Sequence, residues 1–280
     1  MIEDFFHASI KKFDLSKREL NNMTIILKGS LELACERKIL SYNPFDKVKI
    51  NYDLCRYVAK KSNKTQVYFK DEKGRLIKAL DEELNENPDN TTPLAVKLIF
   101  QLGTRIGEIV ATMWDDVEDD SIHIQRMEAS DTNFEIVNNE IAFTKPRNVI
   151  VNHLKRKNES EESFLYLTPE ALQILNQLKE INDRMKYPEE AFIFRTEDGR
   201  TTRRQIAYCI EKACAKIGMP VKSAHDIRRT VASVLFSNRV PLDEIRRFLG
   251  HKDEKTTLGY IYNPYEDEET KKLYDKALSI

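Results

Sequence analysis

Across residues 121–167 the apolar pattern breaks into short runs separated by polar turns: Ile122-His123-Ile124, Phe134-Glu135-Ile136-Val137, Ile141-Ala142-Phe143 and Phe164-Leu165-Tyr166. Runs of three or four such residues suit strands of a small antiparallel sheet and are too short for helices. On either side the spacing is helical. Thr92-Pro93, a cap followed by proline at the first helical position, starts a helix running toward Leu102, where Gly103 breaks it, and helical spacing resumes over 105–113. Beyond the strands, helices start at Thr168-Pro169 and at Thr202, the second ending near Gly218 with Pro220 just after it. Four more are expected near 224–238, 241–249, 256–261 and 270–278, the last with Leu273, Ala277 and Leu278 on one side. The fold class is therefore mainly α with a small antiparallel β-sheet (α+β).

Residues 1–45 also read as helical. Ser16-Lys17-Arg18-Glu19 is a capping box, Met23, Ile26, Leu27, Leu31, Ala34 and Leu40 follow at helical intervals, and Asn43-Pro44 is the stop. A unit of this size is too small to bury a good core alone, so 1–46 is expected to be part of a helical domain that the chain enters partway. Residues 47–65, rich in Lys, Asn and Ser, read as a linker, and 66–280 as the larger domain.

The net charge of −1 and pI of about 6.6 speak mildly against a nucleic-acid binder, but the charge is unevenly placed. Residues 145–157 hold five Lys/Arg and no acid, and 195–260 hold fourteen Lys/Arg against eight Asp/Glu, a surplus of six. Acid gathers at Asp81-Glu82-Glu83, Asp115-Asp116, Glu118-Asp119-Asp120 and Glu266-Asp267-Glu268-Glu269. That distribution fits one basic face. The longest apolar runs are too short to cross a bilayer, and Met1-Ile2-Glu3-Asp4 does not open like a signal peptide. Cys35, Cys55, Cys209 and Cys214 form no CxxC pair and read as reduced thiols of a cytoplasmic protein.

Chemistry concentrates between His225 and Tyr260, in HDIRRTVASVLFSNRVPLDEIRRFLGHKDEKTTLGY. His225 and Arg228 are three apart and share one helical face. His251 follows Gly250, and Tyr260 lies nine residues further on. Guanidiniums, imidazoles and a phenol are the parts needed to attack a phosphodiester without a metal. Bare chemistry does not separate Tyr260 from Tyr262 and Tyr265, although on a helix Tyr260 and Tyr262 point about 200° apart, so at most one faces the site. No Gly-rich phosphate loop, paired acid cluster or Cys/His set suggests a nucleotide cofactor or a required metal.

GTRIGEIVATMWDDV (103–117), HDIRRT (225–230), LGH (249–251) and TTLGY (256–260), in that order, resemble the boxes of the tyrosine recombinases, the phage and mobile-element integrases. Residues 66–280 resemble that family's catalytic domain and 1–45 the second half of its core-binding domain. The resemblance implies that Arg105 and Arg228 bind the scissile phosphate, Glu108 orients Arg105, His225 transfers a proton beside the nucleophile, and His251 hydrogen-bonds the phosphate or the tyrosine. Tyr260 stands at the nucleophile's spacing after LGH. Lys157, counted back from Leu165-Tyr166-Leu167-Thr168-Pro169, matches the lysine that protonates the leaving oxygen. There Asn158–Ser163 departs from the family's basic pattern, with three glutamates in the turn. The chemistry fits: a tyrosine ester conserves the bond energy of the cleaved strand, and two planar guanidiniums match the developing charge on the phosphate oxygens.

DNA-backbone contacts are expected from Arg195, Arg200, Arg203 and Arg204 around the Glu197-Asp198-Gly199 turn, and from Arg229, whose helical direction differs from that of Arg228 by about 100°. The resemblance further implies double-stranded DNA as partner, a homotetramer on DNA with a monomer when free, nucleoid association when bound, a C-terminal helix that docks on a neighbouring subunit, and neither cofactor nor metal. A catalytically silent DNA-binding relative and a metal-dependent nuclease using His225 and His251 are the competing classes.

Overall fold

The computed structural model describes residues 2–59, 62–131, 134–137, 140–143, 145–152 and 164–279. It divides into two compact units, 1–61 and 62–280. In the first, α1 (Ile2–Phe13) and α2 (Lys17–Glu36) enclose a small core of Phe6, Ile10, Leu20 and Phe45. The capping box at Ser16 forms: Glu19 Oε2 accepts from the Ser16 N–H at 2.7 Å. The helix stops at Glu36, well before Asn43-Pro44, which instead opens a 3-10 turn with Asn43 Oδ1 accepting from the Phe45 N–H. Ile26, expected on the buried stripe, is 70% exposed. The stretch 47–65, expected as a linker, contributes to this core in its first half. Val48, Ile50, Tyr52 and Cys55 pack on this core, because alternate apolar residues lie hidden in a polar composition.

In the second unit the helices are α3 (Lys70–Glu86), α4 (Thr92–Leu102), α5 (Ile106–Ile109), α6 (Pro169–Met185), α7 (Arg203–Lys216), α8 (Ala224–Ser237), α9 (Leu242–Leu249), α10 (Glu254–Leu258) and α11 (Asp267–Leu278). The strands β1 (Ser121–His123), β2 (Met127–Asp131), β3 (Phe134–Val137), β4 (Glu140–Phe143), β5 (Arg147–Val151) and β6 (Phe164–Tyr166) pair antiparallel in nested fashion: β1 with β6, β2 with β5, β3 with β4. A two-residue pair, β7 (Arg195–Thr196) and β8 (Gly199–Arg200), precedes α7. The α+β expectation holds. β2 and β5 were not evident from the sequence, and the helical spacing over 105–113 is realised only in the short α5.

The core is organised around α4, whose residues are buried almost all round and which α3, α6, α7 and α8 surround. A helix apolar on every face can exist only at the centre of a domain. Its end sets the site. Gly103 adopts φ +58, and a Cβ there would lie 3.1 Å from Val231 Cγ1 and 3.2 Å from Leu249 Cδ2. Only glycine combines that left-handed turn with contact against α8 and α9. The chain thus delivers Thr104 and Arg105 to the middle of the helical cluster. Among the described residues no helix is long and apolar enough to cross a membrane, and Cys209 and Cys214 are buried free thiols of α7.

Candidate active site

Arg105 is the N-cap of α5, and Glu108 holds it twice. The carboxylate accepts from the Arg105 backbone N–H at 2.9 Å and from Nη1 at 2.6 Å. Glu108 is 2% exposed, so it serves as cap and counter-ion together and fixes the direction of the guanidinium. Gly107 lets this turn approach β2: a Cβ there would lie 2.9 Å from the Glu128 carbonyl oxygen.

α8 begins at Ser223, where the Asp226 carboxylate accepts from the Ser223 N–H and Oγ–H at 2.8 Å each. This places His225 on the first turn and Arg228 one turn further in. Arg228, at 2% exposure, ties the distant boxes together. Its Nη1 donates to the Gly103 carbonyl at 2.6 Å and its Nη2 to the Leu249 carbonyl. Those carbonyls immediately precede Thr104-Arg105 and Gly250-His251, so one buried guanidinium sets the relative position of three segments.

His251 follows the left-handed Gly250 that ends α9. Its Nδ1 lies 3.1 Å from Thr257 Oγ1 of α10, a hydrogen bond whose direction follows the tautomer. Its Nε2 is buried with no hydrogen-bond partner among the described residues. Burial, reinforced by the Arg228 and Arg105 guanidiniums, pushes the His251 pKa down to about 3. Burial, then Arg229 and Arg228, also holds His225 below the ordinary histidine value. Both rings are therefore neutral at neutral pH.

Tyr260 completes the cluster. Its ring centroid lies 4.4 Å from that of His251, 5.0 Å from that of His225 and 5.8 Å from the Arg228 Cζ. The helix expected over 256–261 ends at Leu258, so Tyr260 and Tyr262 are not related by a helical angle. Tyr262 approaches Arg229, while Tyr260 meets both histidines as well. Beside this cluster a cleft of about 210 Å³ is lined by Arg105, Glu108, Glu128, Arg203, His225 and Arg228, among others. Three guanidiniums and the neutral His225 imidazole around such a cleft suit a tetrahedral anion.

The model of the phage integrase family matches residues 66–268. The chain belongs to the phage integrase family. Relatives include a tyrosine recombinase XerC-like protein of Caldanaerobacter subterraneus subsp. tengcongensis, 23% identical over 91% of this chain and 58% of that protein. The probable integrase of prophage ps2 from Lactococcus lactis subsp. lactis is 26% identical over 90% of this chain and 66% of its own length. The chain thus spans 58% and 66% of these two relatives. Its fold is similar to that of the Tn1549 transposon integrase solved with transposon right end DNA (TM-score 0.64, 14% identity, 98% of this chain and 83% of that one). It is also similar to the XerH recombinase bound to a palindromic difH substrate (TM-score 0.59, 19% identity, 100% and 71%).

Against this integrase fold, the structure brings Arg105, Glu108, His225, Arg228, His251 and Tyr260 together. Lys157 lies outside the described residues. The basic group before α7 divides. Arg195 is 4% exposed, its Nη1 donates to the Tyr187 carbonyl at 2.9 Å, and burial draws its pKa down, which turns it inward, unlike its neighbours. Arg200 and Arg203 both bond the fully buried Glu128, at 2.6 and 2.9 Å, which leaves one net positive charge on the three. Arg204 is exposed. Replacing Arg204 by alanine is expected to weaken DNA binding on all sequences and to flatten the plot of log K against log salt by about one unit. Arg195→Ala should leave that slope unchanged and lower the melting temperature instead; filter binding over a salt series and thermal melts separate the two.

Thr257, Glu128 and Met127 were not foreseen at the site. Thr257, partner of His251, stands inside the TTLGY box and was legible there. Glu128 and Met127 carry no local signal, since β2 reads Met-Glu-Ala-Ser-Asp without alternation. Arg229, expected from its helical angle to contact the DNA backbone, has a side chain that is 22% exposed, and its Cζ lies 5.9 Å from the Tyr260 ring centroid.

Proposed function

We propose that the chain is a site-specific DNA recombinase acting through a 3′-phosphotyrosine intermediate. The observation that carries this reading is the Tyr260 ring held between His225, His251 and Arg228 in the chain that also supplies Arg105, so that cleavage occurs in cis. Tyr260 Oη attacks the scissile phosphorus and loses its proton to a neutral imidazole, His225 being our choice. The P–O5′ bond breaks, and the strand leaves with a 5′-hydroxyl. Arg105, aimed by Glu108, and Arg228 stabilise the charge on the non-bridging oxygens, and His251 donates a further hydrogen bond there. Lys157 supplies the proton to the 5′-oxygen. Attack by the 5′-hydroxyl of a partner strand reverses these steps, releases Tyr260 and joins the strands, so no external energy source is needed. Two duplexes exchanging strands imply a homotetramer on double-stranded DNA, assembled from monomers.

Tiled, singly nicked duplexes covering the DNA that borders the gene provide the test, because a nick beside the cleavage point lets the short leaving strand diffuse away and traps the adduct. The expected result is a covalent protein–DNA band that survives EDTA and is absent in Tyr260→Phe. DNA binding with no adduct from any tile would sink the recombinase reading in favour of a catalytically silent binder, and cleavage abolished by EDTA would favour a metal-dependent nuclease.

A further inference from the structure

We propose that Arg229 is a positioning residue for the Tyr260 nucleophile; this rests on the reading of Tyr260 given above. An arginine beside Arg228 on α8 would ordinarily point its fork at solvent or at a DNA phosphate. Here the fork is turned inward. Arg229 Nη1 donates to Gln66 Oε1 at 2.6 Å and to Asp226 Oδ1 at 2.8 Å, and Gln66 and Asp226 are 4% and 9% exposed. Asp226 is itself held by the Ser223 cap, so the guanidinium is fixed from behind by groups that have little freedom to move. From that anchorage its Cζ stands 5.9 Å from the centroids of both the Tyr260 and the Tyr262 rings. A guanidinium in this range attracts an aromatic ring electrostatically, and its planar, rigid fork fixes the direction of that attraction better than an ammonium does.

Backbone contacts one turn further along α8 act on the same segment. Ser233, fully buried, accepts from the Tyr262 N–H at 2.9 Å, and its hydroxyl lies within donating distance of the Arg229 carbonyl (2.7 Å) and the Tyr260 carbonyl (3.4 Å). Residues 260–262 follow the end of α10 and have no helix of their own to hold them. The Tyr260 and Ile261 N–H groups donate back to the Thr257 and Leu258 carbonyls of α10, and α8 adds two further holds: Ser233 on the main chain at Tyr262 and Arg229 beside the two rings. Tyr262 gives Arg229 a second ring, which keeps the guanidinium beside Tyr260.

The consequence is kinetic. A nucleophile displaced by about 1 Å costs on the order of 10²-fold in rate, whereas loss of one phosphate contact weakens binding and reduces salt dependence. Arg229→Gln is expected to bind the nicked duplex within about twofold of wild type, with an unchanged salt slope, and to cleave it roughly 10²-fold more slowly in single turnover. Arg229→Lys should recover part of that rate, and Ser233→Ala, which loosens the main chain and spares the charge, should cause a smaller defect of the same kind. A duplex with sulfur in place of the leaving 5′-oxygen removes the need for leaving-group protonation, so the Arg229→Gln deficit should persist on it. A salt slope reduced by one with cleavage unchanged at saturating DNA would overturn the proposal and make Arg229 a phosphate contact. Disappearance of the deficit on the sulfur substrate would also overturn it. Failure of the wild-type protein to form a Tyr260-dependent adduct would overturn the parent reading and this one together, whereas an adduct formed equally fast by Arg229→Gln rejects this one alone.

Discussion

Arg228→Lys is expected to slow single-turnover strand cleavage by about three orders of magnitude, a loss of roughly 4 kcal/mol in transition-state stabilisation. It should also lower the melting temperature. Both effects follow from one geometry. The guanidinium donates from Nη1 to the Gly103 carbonyl and from Nη2 to the Leu249 carbonyl, and in the proposed reaction it also faces the phosphate. Lysine keeps the charge but has no planar fork, so it cannot span both carbonyls and present a donor to the phosphate as well. A buried carbonyl deprived of its donor costs about 1–3 kcal/mol, equivalent to roughly 2–12 °C in a unit of this size. Arg228→Ala strips both carbonyls, leaves a cavity among Leu249 and its neighbours, and should cost about 3–5 kcal/mol. Cleavage is measured well below the lowered melting temperature and at saturating DNA, so that unfolding and weak binding do not enter the rate. If Arg228→Lys melted early yet cleaved within about tenfold of wild type, the residue would be an architectural tie and the phosphate role would fall to Arg105.

The residues that proved legible in the sequence sit where local chemistry is loud. Thr168-Pro169 and Thr202 announce helix starts, Gly103 and Gly250 announce stops, and the site residues lie beside these signals because helix ends deliver side chains to a shared centre. What was not legible depends on distance in space. α3 buries Leu76, Ala79, Leu80 and Leu84 at helical spacing, but charged residues crowd the same stretch and mask the pattern. Arg195 looks like its neighbours Arg200 and Arg203, yet a two-residue strand offers no alternation that would reveal its burial. The nearness of Arg229 to Tyr260 was not legible, because a helical angle describes where a side chain leaves the backbone, whereas a long guanidinium reaches a segment that the end of α10 swings toward it. In the 47–65 stretch, polar composition concealed four apolar anchors, Val48, Ile50, Tyr52 and Cys55.

Acid should destabilise this protein through His251 more than through an ordinary histidine. Its pKa is about 3 in the folded chain, against roughly 6.5 when unfolded. Between those values the unfolded chain binds a proton that the native state refuses, so stability falls as pH falls. The contribution is fully present above about pH 6.5 and is lost progressively toward pH 3. Between pH 7 and pH 5 the loss is about 2 kcal/mol from this group, rising to the order of 4–5 kcal/mol at pH 3. His225, also held below its ordinary value, adds with the same sign. Urea unfolding at pH 7 and pH 5, for wild type and His251→Gln, isolates the effect, because glutamine can keep the hydrogen bond to Thr257 without titrating. Wild type should lose about 2 kcal/mol more than the variant over that interval; equal losses would show that the imidazole is not the responsible group. The same depression bears on catalysis. Burial first, and then the guanidiniums of Arg228 and Arg105 at His251 and of Arg229 and Arg228 at His225, keep both imidazoles deprotonated, so in the proposed reaction the acid limb of the cleavage rate should lie below the usual histidine range and the proton-accepting form should persist throughout neutral pH.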